Sequence, residues 1–311
     1  MKQADARRPC AMTPVDFCYR PLSPEVFAVL CLLAPAAVIL LIWLTSAPGR
    51  PLYRGDALLG AAMALLLWGV AALWWWGFWA KWSLSDQGAT MQITWRLNAD
   101  SRLDRTVRWT EAGYLRIGRS ALWPRNLGGG LDVVLGPVHE QQAQSLDLHI
   151  SNLKDPALAV GVIDELLGRV PARAVHPEVL VLRDMIDRAT KLRLHLDRGA
   201  CAEKAVIDAA SMRLVRAARA LRRLHNRAVL GSEERAVLAQ TLFLLGRRGP
   251  ALAVCEEYLK DSPADWSILL CRVLCLSRLR NIDDTRRALG ELPEHGATHT
   301  RIVREFAGRL R

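Results

Sequence analysis

Two long apolar stretches without a single charge constrain this chain before anything else. The first, Val26 to Leu44, reads VFAVLCLLAPAAVILLIWL. At 1.5 Å per helical residue it reaches about 28 Å, close to the hydrocarbon thickness of a bilayer. Pro35 kinks such a helix, which a neighbouring helix accommodates. The second stretch runs from Ala57 to Ala80. A short polar link, TSAPGRPLYRGD, joins them and is too small to be a domain. The pair predicts a transmembrane hairpin, 26–44 and 57–80, behind a tail at 1–25. Trp74, Trp75, Trp76, Trp79 and Trp82 crowd the end of the second stretch. Indole is apolar with one N–H donor and prefers the headgroup level, so these read as an interfacial belt. Lys81 beside them would snorkel to the phosphates.

Orientation follows the basic residues near the spans. The tail carries Lys2, Arg7, Arg8 and Arg20, the link only Arg50 and Arg54, and the following segment Lys81, Arg96, Arg102 and Arg105. This predicts a two-span protein of a bacterial inner membrane, with both termini cytoplasmic. The length and position of the first stretch, and the second behind it, speak against a cleaved signal peptide. Seven cysteines, without any Cys-x-x-Cys, give no disulfide framework and fit a reducing compartment. The net charge of +11 fits an anionic partner, or simply a composition rich in arginine and alanine.

After the spans the period changes. ATMQITWRL alternates Met91, Ile93 and Trp95 against polar neighbours. Val107 and Trp109, a turn at Glu111-Ala112-Gly113, and Tyr114 to Ile117 read as a hairpin. LDVVLG and SLDLHI add two more strands, with PRNLGGG as a loop. A small antiparallel β-rich domain is expected over 84–152. From 153 to 311 the chain is helical. Asp155-Pro156 gives an N-cap with Pro at the first helical position. His176-Pro177 opens another helix, to about Leu196. A long basic helix is expected from about Ala202 to Val229, and a further one from Ser232 to Leu245. The fold class is a membrane-anchored α+β chain.

In RAVLAQTLFLLGRRGPALAVCEEYLKDSPADW, Ala239 is small, Leu242 apolar, Gly246 ends one helix, Ala251 enters the next and Pro263 follows it. This spacing resembles the tetratricopeptide repeat, whose small residues let paired helices approach closely. Shifted by 34 residues the pattern continues in degenerate form, with Val273, Leu276, Arg280 and Thr285. The resemblance implies a helical solenoid that binds protein segments.

Sites for chemistry are sparse. The sequence has no Gly-x-Ser-x-Gly, no P-loop, no paired-glycine dinucleotide motif and no His-Glu-x-x-His. His295 and His299 are four apart but lack a third ligand nearby, and read as a polar surface. Cys271 and Cys275 share a helical face and read as core. No catalytic residue, cofactor or metal is expected. The most distinctive charged feature is RLVRAARALRRLHNR. Arg213, Arg216, Arg219 and Arg222 recur every third residue, with Arg223 and Arg227 beside them. Leu214, Ala217, Ala218, Leu221 and Leu224 form the opposite, apolar side. The arginine face is either an ordinary solvated surface or a contact for an acidic protein, lipid or small anion. Nucleic acid is disfavoured, since neither aromatic interleaving nor a helix-turn-helix is present.

The layout of tail, two spans and repeat-like helices resembles two bacterial envelope families. One is the tetratricopeptide subunit of Pel-type exopolysaccharide synthases; the other is the c-type cytochrome assembly protein with a periplasmic helical domain. The expected orientation favours the first. The resemblance implies a non-catalytic inner-membrane scaffold that binds partner proteins of an envelope complex and the lipid bilayer. A membrane sensor for an anionic ligand is the competing reading.

Overall fold

Alternation decides the first sheet. Trp82 and Leu84 on one strand, and Ala89 and Met91 on the next, are buried, while Lys81, Ser83 and Thr90 between them are partly exposed. The register pairs Trp82 with Met91 and Leu84 with Ala89, so the buried residues share one face. A computed structural model of the chain describes residues 15–19, 62–63, 65–66, 68–70, 78–95, 98–119, 131–138, 145–150, 153, 155–195 and 201–310. Its first sheet has the order β1-β2-β3-β4, with β1 Val15–Tyr19, β2 Phe78–Leu84, β3 Gly88–Trp95 and β4 Asn98–Arg108. β2 runs antiparallel to both β1 and β3. Ser85 closes the β2–β3 turn: its hydroxyl donates to the Gly88 carbonyl and accepts from the Gln87 and Gly88 amides.

This sheet corrects the membrane reading. Among the described residues no helix is long and apolar enough to cross a membrane. The span expected to end at Ala80 instead gives way to a strand from Phe78 onward, which pairs residue by residue with Val15–Tyr19. Trp79, Lys81 and Trp82 are strand residues, and Trp82 is fully buried rather than interfacial. The physical reason is that Trp and Phe suit a pleated, buried surface as well as a bilayer interface, and an apolar run does not reveal which cover it has. The helical residues described in that stretch, among them Met63, Leu65, Leu66, Trp68 and Val70, are exposed. Residues 26–44 and Trp74, Trp75 and Trp76 lie outside the described residues, as does the PRNLGGG loop. The two-span inner-membrane location with cytoplasmic termini falls with the same finding.

The expected hairpin around Glu111 is also corrected. A 3-10 turn, Trp109–Glu111, follows β4, and β5 Ala112–Arg119 joins a different sheet, of order β5-β6-β7. The chain divides accordingly into two compact units, Met1–Thr106 and Val107–Arg311. In the second unit β6 Leu131–Pro137 is central, antiparallel to β5 and to β7 Leu146–His149, and buried along its whole length. Asp132 is buried there, and its Oδ1 lies 2.6 Å from Nδ1 of His149, its cross-strand partner. The sheet is tied to the helices through Leu115, which bridges Val175 and accepts a 2.8 Å hydrogen bond from the His176 amide.

Nine helices follow among the described residues of this unit. They are α1 Pro156–Arg169, α2 Glu178–His195, α3 Cys201–Ala210, α4 Leu214–His225, α5 Ser232–Leu244, α6 Arg248–Asp261, α7 Trp266–Arg278, α8 Ile282–Gly290 and α9 Ala297–Gly308. Asp155 caps α1 by accepting from the Ala157 amide, with Pro156 at the first helical position. The long basic helix expected from 202 to 229 is broken in two. Met212 takes φ +60°, its amide bonds the Ala209 carbonyl, and the Arg213 amide bonds that of Asp208. Gly246 (φ +76°) repeats this after α5, with Gly246 to Phe243 and Arg247 to Leu242. Arg280 (φ +61°) repeats it after α7, with Arg280 to Ser277 and Asn281 to Leu276. This paired bonding around a left-handed residue is the Schellman helix ending.

Met212, Gly246 and Arg280 recur at 34-residue intervals. The helix pairs α3–α4, α5–α6 and α7–α8 therefore turn at equivalent points. Buried positions of the first helices recur at the same interval: Ala205, Ala239 and Val273 are each 0% exposed. So are Ala217 and Ala251 in the second helices, with Thr285 at 2%. At the end, α9 returns to the start of the array, where Arg309 donates to the carbonyls of Arg173 and Val175.

A non-glycine residue in the left-handed region is strained by about 1 kcal/mol relative to glycine. Arg280→Gly should therefore raise unfolding stability by about 0.5–1 kcal/mol, and Gly246→Ala should lower it by about 1 kcal/mol or more. Urea unfolding of both variants checks this; equal effects of the same sign would refute the shared turn. A second expectation concerns pH. Burial lowers the His149 pKa, but the hydrogen bond and charge of Asp132, with Asp147, outweigh it, and the net shift is upward. Stability from this pair is full below the ordinary histidine value of about 6.5 and is lost as pH rises through the raised folded value. The stability difference between wild type and Asp132→Asn should thus shrink from pH 6 toward pH 9 (about three units). A difference that stays constant with pH rejects the assignment.

Candidate functional site

The arginine face belongs to α4, whose apolar side is Leu214, Ala217, Ala218 and Leu221, all buried. Arg216, Arg219, Arg222, Arg223 and Arg227 are exposed. At 100° per residue Arg216 and Arg223 fall in one narrow sector of α4, Arg219 and Arg222 continue toward one side, and Arg227 follows in the turn after the helix. None of these five has an ion-pair partner among the described residues. Arg213 stands apart: it precedes the helix at its N-cap, and its guanidinium lies 3.7 Å from the Asp208 carboxylate.

Beside Arg219 and Arg222 the surface is concave. A groove of about 240 Å³ is lined by Val215, Ala218, Arg219, Arg222, Arg223 and Asn226 on one side, and by Leu245 and Arg247 on the other. The sequence grouped the α4 arginines but did not bring Arg247 to them. The signal was present in Gly246: its left-handed turn fixes where the next residue emerges. Arg247 is also the N-cap residue of α6, which has no side-chain cap.

The residues singled out for repeat packing fall in this part of the chain. Ala239, Leu242 and Ala251 are buried, Gly246 makes the turn, and Pro263 is exposed after α6.

A second polar constellation ties α2 to α5, α6 and α7. Arg188 on α2 pairs with Glu233, with Asp184 and, at 2.9 Å, with Asp265. It also donates to the Ser267 hydroxyl. Asp265 caps α7 through the Ser267 and Ile268 amides and accepts from the Tyr258 hydroxyl at 2.8 Å. Gln240, fully buried, donates to Asp184 at 2.7 Å. Burial opposes charge on both ions. The carboxylates of Asp184, Asp265 and Glu233 nevertheless hold the Arg188 pKa above its ordinary range, and Arg188 with Tyr258 holds that of Asp265 below its own. Most of these groups are paired with one another, while Arg188 Nε and Gln240 Oε1 are buried without a hydrogen-bond partner, and the constellation ties helices distant in sequence.

His295 and His299 lie beside each other, with ring centroids 5.4 Å apart. Both pack against Trp266, the first residue of α7: His295 stacks at 4.8 Å and 22°, and His299 meets it edge-on at 5.4 Å. Burial, with His295 and Arg183, pushes the His299 imidazole below its ordinary pKa. These rings anchor the start of α9 on the start of α7. Among the described residues no cluster of histidine, cysteine or acidic side chains is arranged to hold a metal ion. Cys255, Cys271 and Cys275 are buried together. Hydrogen bonds from Cys255 and Cys275, then burial, push the Cys271 thiol far up, so it stays neutral.

No family model, curated protein or solved structure matches this chain.

The two arginine pairings of α2 give a contrast in burial. Arg188→Met leaves two partly buried carboxylates without their cation and should cost on the order of 3 kcal/mol. Arg183→Met removes the more exposed pairs with Asp164 and Asp187 and should cost under about 1 kcal/mol. Denaturant unfolding compares them; equal losses would mean that Arg188 is not a tie.

Proposed function

We propose that this chain is a non-catalytic protein-interaction scaffold. The observation that carries the reading is the 34-residue recurrence of helix pairs, turning at Met212, Gly246 and Arg280 around buried small residues. Such an array presents a continuous surface whose shape is fixed by its neighbours, and recognition of a partner segment needs shape and a few anchors but no catalytic group. The lack of nucleophile, phosphate-loop and dinucleotide motifs supports the non-catalytic side. The exposed arginines Arg216, Arg223 and Arg227 supply a charged contact for an acidic partner protein, because no acidic neighbour within the described residues neutralises them. The reading needs no particular compartment.

The test is affinity capture on the full chain, with partners identified by mass spectrometry, compared with the Arg216→Glu, Arg227→Glu double variant. Capture of the same partners should fall about tenfold at roughly 0.05 M salt and by much less at roughly 0.5 M, where surface charge is screened. A variant that captures as well as wild type at both salt levels removes the acidic contact. Failure to recover any saturable partner removes the scaffold reading itself.

A further inference from the structure

The groove beside α4 carries an inference that goes beyond the scaffold reading and does not rest on it. We propose that this groove binds a small molecule bearing a chain of two or more phosphates. Four arginines line it: Arg219, Arg222 and Arg223 from α4, and Arg247 from the turn between α5 and α6. No carboxylate lines the groove, and none of the four has an ion-pair partner among the described residues. Four like charges around about 240 Å³ repel one another, and a concave surface focuses their field. A multivalent anion reverses the sign of that interaction.

The placement has only a partial explanation inside the protein. Arg222 and Arg223 sit in the last turn of α4, where the helix dipole favours a cation. That argument does not reach Arg219, and it runs the wrong way for Arg247. Arg247 stands at the positive end of a 14-residue helix without a side-chain cap, where a cation is disfavoured and an anion is favoured. The backbone there is not adaptable, since the paired bonds around Gly246 fix it.

Guanidinium presents paired donors that match two phosphate oxygens at once. Arginines drawn from two elements around one groove suit a compact chain of phosphates, which needs several forks within a few ångströms. An acidic polypeptide carries one charge per side chain and suits an open stripe such as Arg216 and Arg227, which lie outside the groove. Val215, Ala218 and Leu245 leave an apolar part of the lining for the organic end of such a molecule.

Calorimetric titration of the full chain with inorganic tripolyphosphate, and with ATP, decides the matter at about 0.1 M salt. Saturable binding should weaken about tenfold in Arg222→Ala and in Arg247→Ala, since each removes a phosphate fork. Arg216→Ala and Arg227→Ala should weaken it by less than about threefold, as distant screened charges do. Far-ultraviolet circular dichroism confirms that each variant is folded. Binding by both tripolyphosphate and ATP assigns recognition to the phosphate chain; tighter ATP binding adds the apolar lining. Equal weakening by all four variants would mean a diffuse field and overturn the site. So would no saturable binding, or tighter groove-dependent binding of a glutamate peptide or a single-stranded oligonucleotide. The scaffold test reads Arg216 and Arg227 through partner capture, so either proposal can fail while the other stands.

Discussion

Each repeating helix pair turns through one residue in the left-handed region, and the rest of the second unit depends on that turn. Its two backbone hydrogen bonds satisfy carbonyls that a helix end leaves open, and they set the direction in which the next helix departs. Where the residue is Gly246 the conformation is nearly free; where it is Met212 or Arg280 the packing of the pair must hold it. Small side chains are buried in both helices of the first two pairs, Ala205 and Ala217, then Ala239 and Ala251.

A stack of pairs still needs ties between elements far apart in sequence. Arg188 provides one by reaching Glu233 and Asp265 on two later helices. Trp266 with His295 and His299 provides another, and Arg309, bonded to the carbonyls of Arg173 and Val175, closes the array on the segment that bridges the sheet. The polar tie around Arg188 also confers specificity, since apolar faces alone would tolerate sliding of one helix over its neighbour, while a capped carboxylate facing a guanidinium would not. The unpaired arginines of α4 and Arg247 stand on the surface outside these ties.

Much of the helical part was legible in the sequence. Asp155-Pro156, His176-Pro177 and Gly246 mark helix ends by local chemistry, and the spacing of Arg216, Arg219, Arg222 and Arg223 groups them on the exposed side of α4. The strands β3, β6 and β7 were also legible, from alternation and from a short apolar run. The break at Met212 was not, because methionine carries no turn signal and only the packed pair holds it left-handed. The pairing of β2 with β1 was not legible either, nor was the separation of β4 from β5 into different sheets.

The sequence by itself determined what neighbours within a helical turn or along a strand decide: periods, caps, and the sharing of a face. The tertiary structure alone decided which apolar runs are covered and by what. It buried Trp82 in a sheet, set Asp132 against His149 across two strands, and gathered three cysteines into the core. It also carried Arg247 from another helix pair to the arginines of α4. The physical reason is range. Backbone and side-chain preferences act over a few residues, whereas burial and charge pairing act between elements that only folding brings together.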